Sequence, residues 1–358
     1  MKRITLCALL ITLFLLLGCG SGQQSVDSPN GGGAATGGRT LSSVLMELGR
    51  SAENVFYAFI ELLSDTLGFT AKSTTKKNDV GDYFNSLGIK LEETSKELEE
   101  VAKKAETGIG KSDSSNKSIR EAVNTAKEVL STLKEHVESL GTVGDSNLVG
   151  DAEISAKQGV AADDGALKKV YNALKEIVKL ATVAGVKALE VGTTTLSIDS
   201  VSNKEGAKIL ATSTAGAAAG DVAKAAIILT AVSGEEMLDS IVKSGESDAA
   251  LSNNADGTTT AMSFARGGQA AHLAGADTPK AAAVAGGIAL RSLVKTSKLA
   301  AGGNSKSQGG KEEVQKVGIT AANKLLVAIE DVIKKTVKNV LEKAKEKIDE
   351  ARNPKTAE

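Results

Sequence analysis

Tryptophan is absent from this 358-residue chain, histidine and cysteine occur twice each, and proline occurs three times. Aromatic residues amount to 3% of the sequence, which excludes a core built on large rings and favours close packing of small aliphatic side chains. Two histidines supply little for a metal centre or a general base. His136 lies among Lys134, Glu135 and Glu138, the setting of an exposed helical position, and His272 has no acid or cysteine at ligand spacing. A formal net charge of −1 provides no global field to attract nucleic acid. Nothing in this inventory calls for a cofactor or a metal.

The first forty residues are the most specific part. Lys2 and Arg3 precede an apolar run over residues 4–17, which at 1.5 Å per residue reaches only ~21 Å, short of the ~30 Å of a hydrocarbon core. The run therefore reads as the h-region of an export signal. It ends in Leu16-Leu17-Gly18-Cys19, which resembles the lipobox of signal peptidase II substrates, although Leu17 replaces the commoner Ala or Ser. Cleavage after residue 18 would leave lipid attached at Cys19. Several acyl chains, each CH₂ contributing ~0.8 kcal/mol, would then hold the chain on a membrane without a transmembrane helix. Cys7 would leave with the signal, so no disulfide is available to the mature chain. Residues 20–40, rich in Gly and Ser, read as a flexible tether with a reach of ~25 Å.

Beyond the tether the apolar residues recur at three and four. Val44, Leu45, Leu48, Val55, Phe59, Leu62 and Leu63 mark a helix over residues 41–67 that ends at Gly68. Phe84, Leu87, Leu91, Leu98 and Val101 mark a second helix, Ile119 to Val137 a third over residues 117–140, and Leu167 to Leu189 a fourth. Gly and Ser interrupt the period at 192–206, 213–220, 244–258 and 302–310, which read as exposed loops. Between them lie alanine-rich helices at roughly 221–243, 259–273 and 278–301, with residues 193–198 as a candidate short strand. The last helix, residues 311–352, is the longest at ~60 Å. The expected fold class is all-α: an elongated helical bundle whose first and last long helices pack together at the membrane-proximal end, with distal loops and one or two very short strands. The expected organisation is a signal peptide at 1–18, a lipidated tether at 19–40, one helical domain at 41–352 and a tail at 353–358.

Three constellations invite a chemical reading. Gly110-Lys111-Ser112 resembles the end of a phosphate loop, but Ala105 stands where the first glycine belongs and a charged helix precedes it. Asp163-Asp164 has no neighbouring acid partner, and a place at a helix N-terminus accounts for it. The lysines of residues 334–347 alternate with Glu342 and Glu346 and read as a salt-bridged face rather than one for anionic lipid. No enzyme signature survives.

A family resemblance reaches further. VFYAFIELLSDTLGFTAKSTTKKNDVGDYFNSLG at 55–88, GALKKVYNALKEIVKLA at 165–181 and TPKAAAVAGGIALRSLVKTSKLA at 278–300 closely resemble segments of the variable large proteins of relapsing-fever Borrelia. These are variable major lipoproteins related to the Vls surface antigen of Lyme spirochaetes, and the likeness extends over essentially the whole chain. It implies a plasmid-encoded, palmitoylated lipoprotein of the outer membrane, surface-exposed and engaged in antigenic variation and immune evasion. Host antibodies would be its partners, with the membrane held through Cys19. The resemblance places variation in the interruptions at 141–164, 192–220, 244–258 and 302–310. An adhesin that binds complement, plasminogen, glycosaminoglycan or other host serum or matrix components is the alternative, and a homodimer is left open.

Overall fold

Helices built on the 3.6-residue period dominate the computed structural model, which describes residues 50, 51, 54, 55, 57, 67–109 and 114–352. The signal at 1–18, Cys19, the tether, most of the helix expected at 41–67, the Gly110-Lys111-Ser112 motif and the tail at 353–358 lie outside the described residues.

Helix α1 (Lys77–Ile109) and α2 (Ser114–Leu140) form an antiparallel pair, with Leu87, Leu91, Leu98 and Val101 facing Ile119, Val123, Leu130 and Leu133. Their outer edges are laced by ions: Glu99 accepts from Arg120 at 2.8 Å and Lys127 at 2.5 Å, and Arg120 also reaches Glu106. α3 (Asp164–Ala184) packs on α2. It stops at Gly185, whose φ of +90° ends the ladder, so Leu189 lies beyond the helix rather than in it.

The middle is more finely divided than the period suggests. A hairpin of β1 (Ser197–Ile198) and β2 (Val201–Ser202) and the start of a 3-10 helix (Lys204–Leu210) lie in the stretch expected as loop at 192–206, and β3 (Ala211–Ser213) follows. Leu196 within that stretch is fully buried, which corrects the expectation of an exposed loop there, and Ala207, Ile209 and Leu210 just beyond it are fully buried as well. Val149 and Ala152 of the 141–164 interruption are also buried: Val149 N donates to Thr75 O at 2.8 Å, and Ala152 pairs with Leu299. The helix expected at 221–243 is two, α4 (Asp221–Thr230) and α5 (Gly234–Val242), since Ser233 and Glu236 close a capping box that restarts the chain. The one expected at 259–273 becomes α6 (Ala261–Arg266), β4 (Gly268–Gln269) and α7 (Ala270–Leu273), with β4 parallel to β3.

α8 (Ala281–Leu293) is the centre of the fold, and every one of its residues is buried. Its alanines and glycines let α5, α6 and α9 approach closely on all sides. α9 (Lys311–Arg352), 42 residues long, packs on α2, α3, α5 and α8. Val55 sits among Leu98 and Val101 of α1 and Leu341, Ala344 and Ile348 of α9, and Lys104 donates to Ser51 Oγ at 2.7 Å. At these positions the segment before α1 lies between α1 and α9.

Candidate functional surface

The two acids singled out for chemistry have structural tasks. Asp163 caps α3, accepting from Ala166 N at 2.8 Å. Asp164 holds the guanidinium of Arg266 at 2.7 Å and Lys168 at 2.8 Å, and those two cations keep its carboxyl below the usual range. The pair therefore fastens α6 to the start of α3. His136 is half-buried on α2; His272, on α7, has its carbonyl accepting from Ala255 and Gly275. On α9, Lys338, Lys345 and Lys347 pair with Glu342, Asp349 and Glu350. Among the described residues no three His, Cys, Asp or Glu side chains could hold a metal ion, and no helix is long and apolar enough to cross a membrane.

The sequence reading missed a buried cationic node under α8. Lys77 at the start of α1 is 1% exposed, and its ammonium donates to Val294 O at 2.7 Å, Ser297 O at 2.9 Å and Ser297 Oγ at 2.7 Å. Burial pulls its pKa down to about 8, against the opposing pull of Asp145 and Asp151. Arg291, fully buried on α8, donates to the carbonyls of Leu210, Ala265 and Lys298. Between the two, Thr296 has φ +63°, a strained value for a β-branched residue, and Asp145 Oδ2 holds its N–H at 2.7 Å. Three connections thus end on two cations. Arg291 is the only charge in the apolar stretch over residues 281–294, which is the one sequence signal for this node.

Outside, the chain presents the tips of its connections. The β1–β2 turn projects Asp199, Ser200 and Val201, while residues 213–215, 252–254 and 306–308 are also exposed. A groove of about 220 Å³ runs between α9 and the segment that follows α3, with Val186, Leu189 and Val327 in its walls and the start of α5 at one side.

These elements define a helical scaffold in which charged groups brace the interior and the tips of the connections are exposed. The chain belongs to the Borrelia lipoprotein family, whose model matches residues 52–348. It is 65% identical over 352 residues to variable large protein 7 of Borrelia hermsii, covering 98% of this chain and 95% of that one. With variable large protein 18 of the same organism the identity is 57%, over 99% of this chain and 96% of the relative. The fold is that of the Lyme disease variable surface antigen VlsE of Borrelia burgdorferi, with a TM-score of 0.65 at 24% identity over 86% of this chain and 98% of that one.

Proposed function

We propose that this chain is an outer-surface lipoprotein antigen that serves antigenic variation and immune evasion without catalysis, held in the outer membrane by lipid on Cys19. The observation that carries the reading is its likeness, along nearly its whole length, to proteins named variable large proteins. The architecture supports it physically. A connection whose tip is exposed can change its side chains while the core remains packed, whereas a polar residue in place of Leu325 or Leu210, both fully buried, would cost several kcal/mol. Antibody contact surface and folding stability are therefore carried by largely different residues.

Protease treatment of intact cells tests the location: the protein is expected to be digested, and full protection would overturn it. Labelled palmitate is expected to enter the wild-type chain and be lost in Cys19→Ala. Sequencing through successive relapses tests the variation, with changes expected at 199–201, 213–215, 252–254 and 306–308; an unchanged sequence throughout would refute antigenic variation.

A further inference from the structure

We infer that three connections far apart in sequence, residues 154–160, 213–219 and 302–308, form one continuous outer face that a single antibody covers as a discontinuous site. The inference rests on the antigen reading above for its partner, and adds which segments that partner touches together.

The backbone draws the three connections into contact. Lys157 N donates to Ala301 O at 3.2 Å, and Ala301 N returns a bond of 3.2 Å to Lys157 O. Gly159 N donates to Ala211 O at 2.8 Å, which ties the first connection to the strand that leads into the second. The closest approaches fall at glycine. A Cβ on Gly216 would lie 2.4 Å from the carbonyl of Lys157 and 2.8 Å from Ala301 O, and one on Gly302 would lie 2.3 Å from the carbonyl of Ala218. Backbones come this near only where no side chain stands between them. The exposed side chains beside these crossings, Gln158, Ala215 and Lys306 among them, therefore border one surface.

Size and chemistry fit the partner. An antibody covers about 800 Å² and roughly 20–30 residues of its antigen, a footprint that the tip at 306–308 cannot fill alone. The three connections contain no Asp or Glu, and their only charges are Lys306 and Lys157, the latter paired with Glu153 at 3.0 Å. Such a face is too weakly charged to hold a polyanion, whereas its hydroxyls and amides suit the Tyr-, Ser- and Asn-rich loops of a paratope. Ile154, 63% exposed in the first connection, supplies apolar area for an aromatic anchor. A substitution in any one connection then alters the site that all three build.

The test uses monoclonal antibodies raised in mice against the full-length protein, with affinities read on purified full-length variants. Antibodies that lose about tenfold or more in affinity for Lys306→Glu are expected to lose as much for Ala215→Arg or Gln158→Arg. They should bind Lys96→Glu, altered on α1, as they bind the wild type, and should ignore a synthetic 302–310 peptide. Antibodies sensitive to Lys96→Glu should bind the three loop variants unchanged, which shows that those variants are folded. Lys306-sensitive antibodies indifferent to both other loop substitutions overturn the inference, as does their full competition by the peptide or the absence of any Lys306-sensitive antibody. An unchanged sequence through successive relapses would instead refute antigenic variation and leave this face standing, so the two readings fail separately.

Discussion

The ammonium of Lys77 lies 2.7 Å from Ser297 Oγ, across 220 positions of sequence, and among the described residues no carboxylate forms an ion pair with it. Carbonyl dipoles and one hydroxyl carry the charge instead, so the start of α1 is tied to the turn after α8 by a group that pays a desolvation cost.

That cost has a pH signature. Below about pH 8 Lys77 is charged in both the folded and unfolded states, and the burial penalty is present in full. Between about 8 and 10.5 the folded protein has released the proton while the unfolded chain still binds it, so stability rises with pH across this window. The shift corresponds to about 3 kcal/mol if fully expressed. Urea denaturation at pH 7.5 and 9.5 is expected to show a higher midpoint at the higher pH, and Lys77→Met should abolish the difference. A midpoint that falls with pH in the wild type would contradict this assignment.

Arg291 presents the opposite case, because its removal leaves acceptors behind. Truncation to Ala would orphan the carbonyls of Leu210, Ala265 and Lys298 and open a cavity in a helix buried on every side. The expected loss is about 3–5 kcal/mol. Arg291→Lys should recover only part of it, since one ammonium cannot reach three divergent carbonyls with the guanidinium's fork. Thermal melts of both variants, ranked wild type, Lys, Ala, check the order.

These two residues show where sequence reading ends. The stripes of α1, α2, α3 and α9 were legible because one face of each is apolar and the other charged, and α9 begins and ends where its periodicity does. α8 has no polar face, so its alanines could not reveal which side is buried; all sides are. The breaks at Ser233 and Gly267 depend on capping and left-handed backbone rather than on hydrophobic period. Lys77 sits beside Lys76 in a polar stretch, and only the approach of Ser297, distant in sequence, distinguishes the buried lysine from its exposed neighbour. The groove was equally invisible, since its walls come from three separate elements.

Tyr83 donates to Glu330 Oε1 at 2.6 Å, and Gly68 N donates to the other carboxylate oxygen at 3.1 Å. Burial raises the Glu330 pKa, while these donors act to lower it; burial and the carboxylate together push the Tyr83 phenol far above its usual range. Tyr83→Phe removes one donor from a buried anion and is expected to cost about 1–3 kcal/mol near neutral pH. Because the folded pKa of Glu330 lies above its ordinary value, acidification through it favours the folded state, and loss of the Tyr83 donor raises that pKa further, so the deficit should shrink as the carboxyl protonates. Parallel denaturation curves for the two proteins at pH 7 and pH 4.5 measure the difference.

At the outer surface the sign of a substitution should reverse. Asp199 and Ser200 occupy the tight β1–β2 turn with φ of +50° and +64°, values that cost little in glycine and more in serine. Ser200→Gly is therefore expected to stabilise the protein by about 0.5–1 kcal/mol, because relief of the strained backbone exceeds the entropy that glycine adds to the unfolded chain. Gly234 gives the contrary result: a Cβ there would lie 2.0 Å from the backbone oxygen of Lys324, so Gly234→Ala must push α5 away from α9 and should cost about 1–3 kcal/mol. One change removes a hydroxymethyl group and the other adds a methyl, and melting temperatures of the two variants should move in opposite directions. Equal losses at both sites would mean that the hairpin is bound into the core as tightly as α5, and such a hairpin could not vary freely.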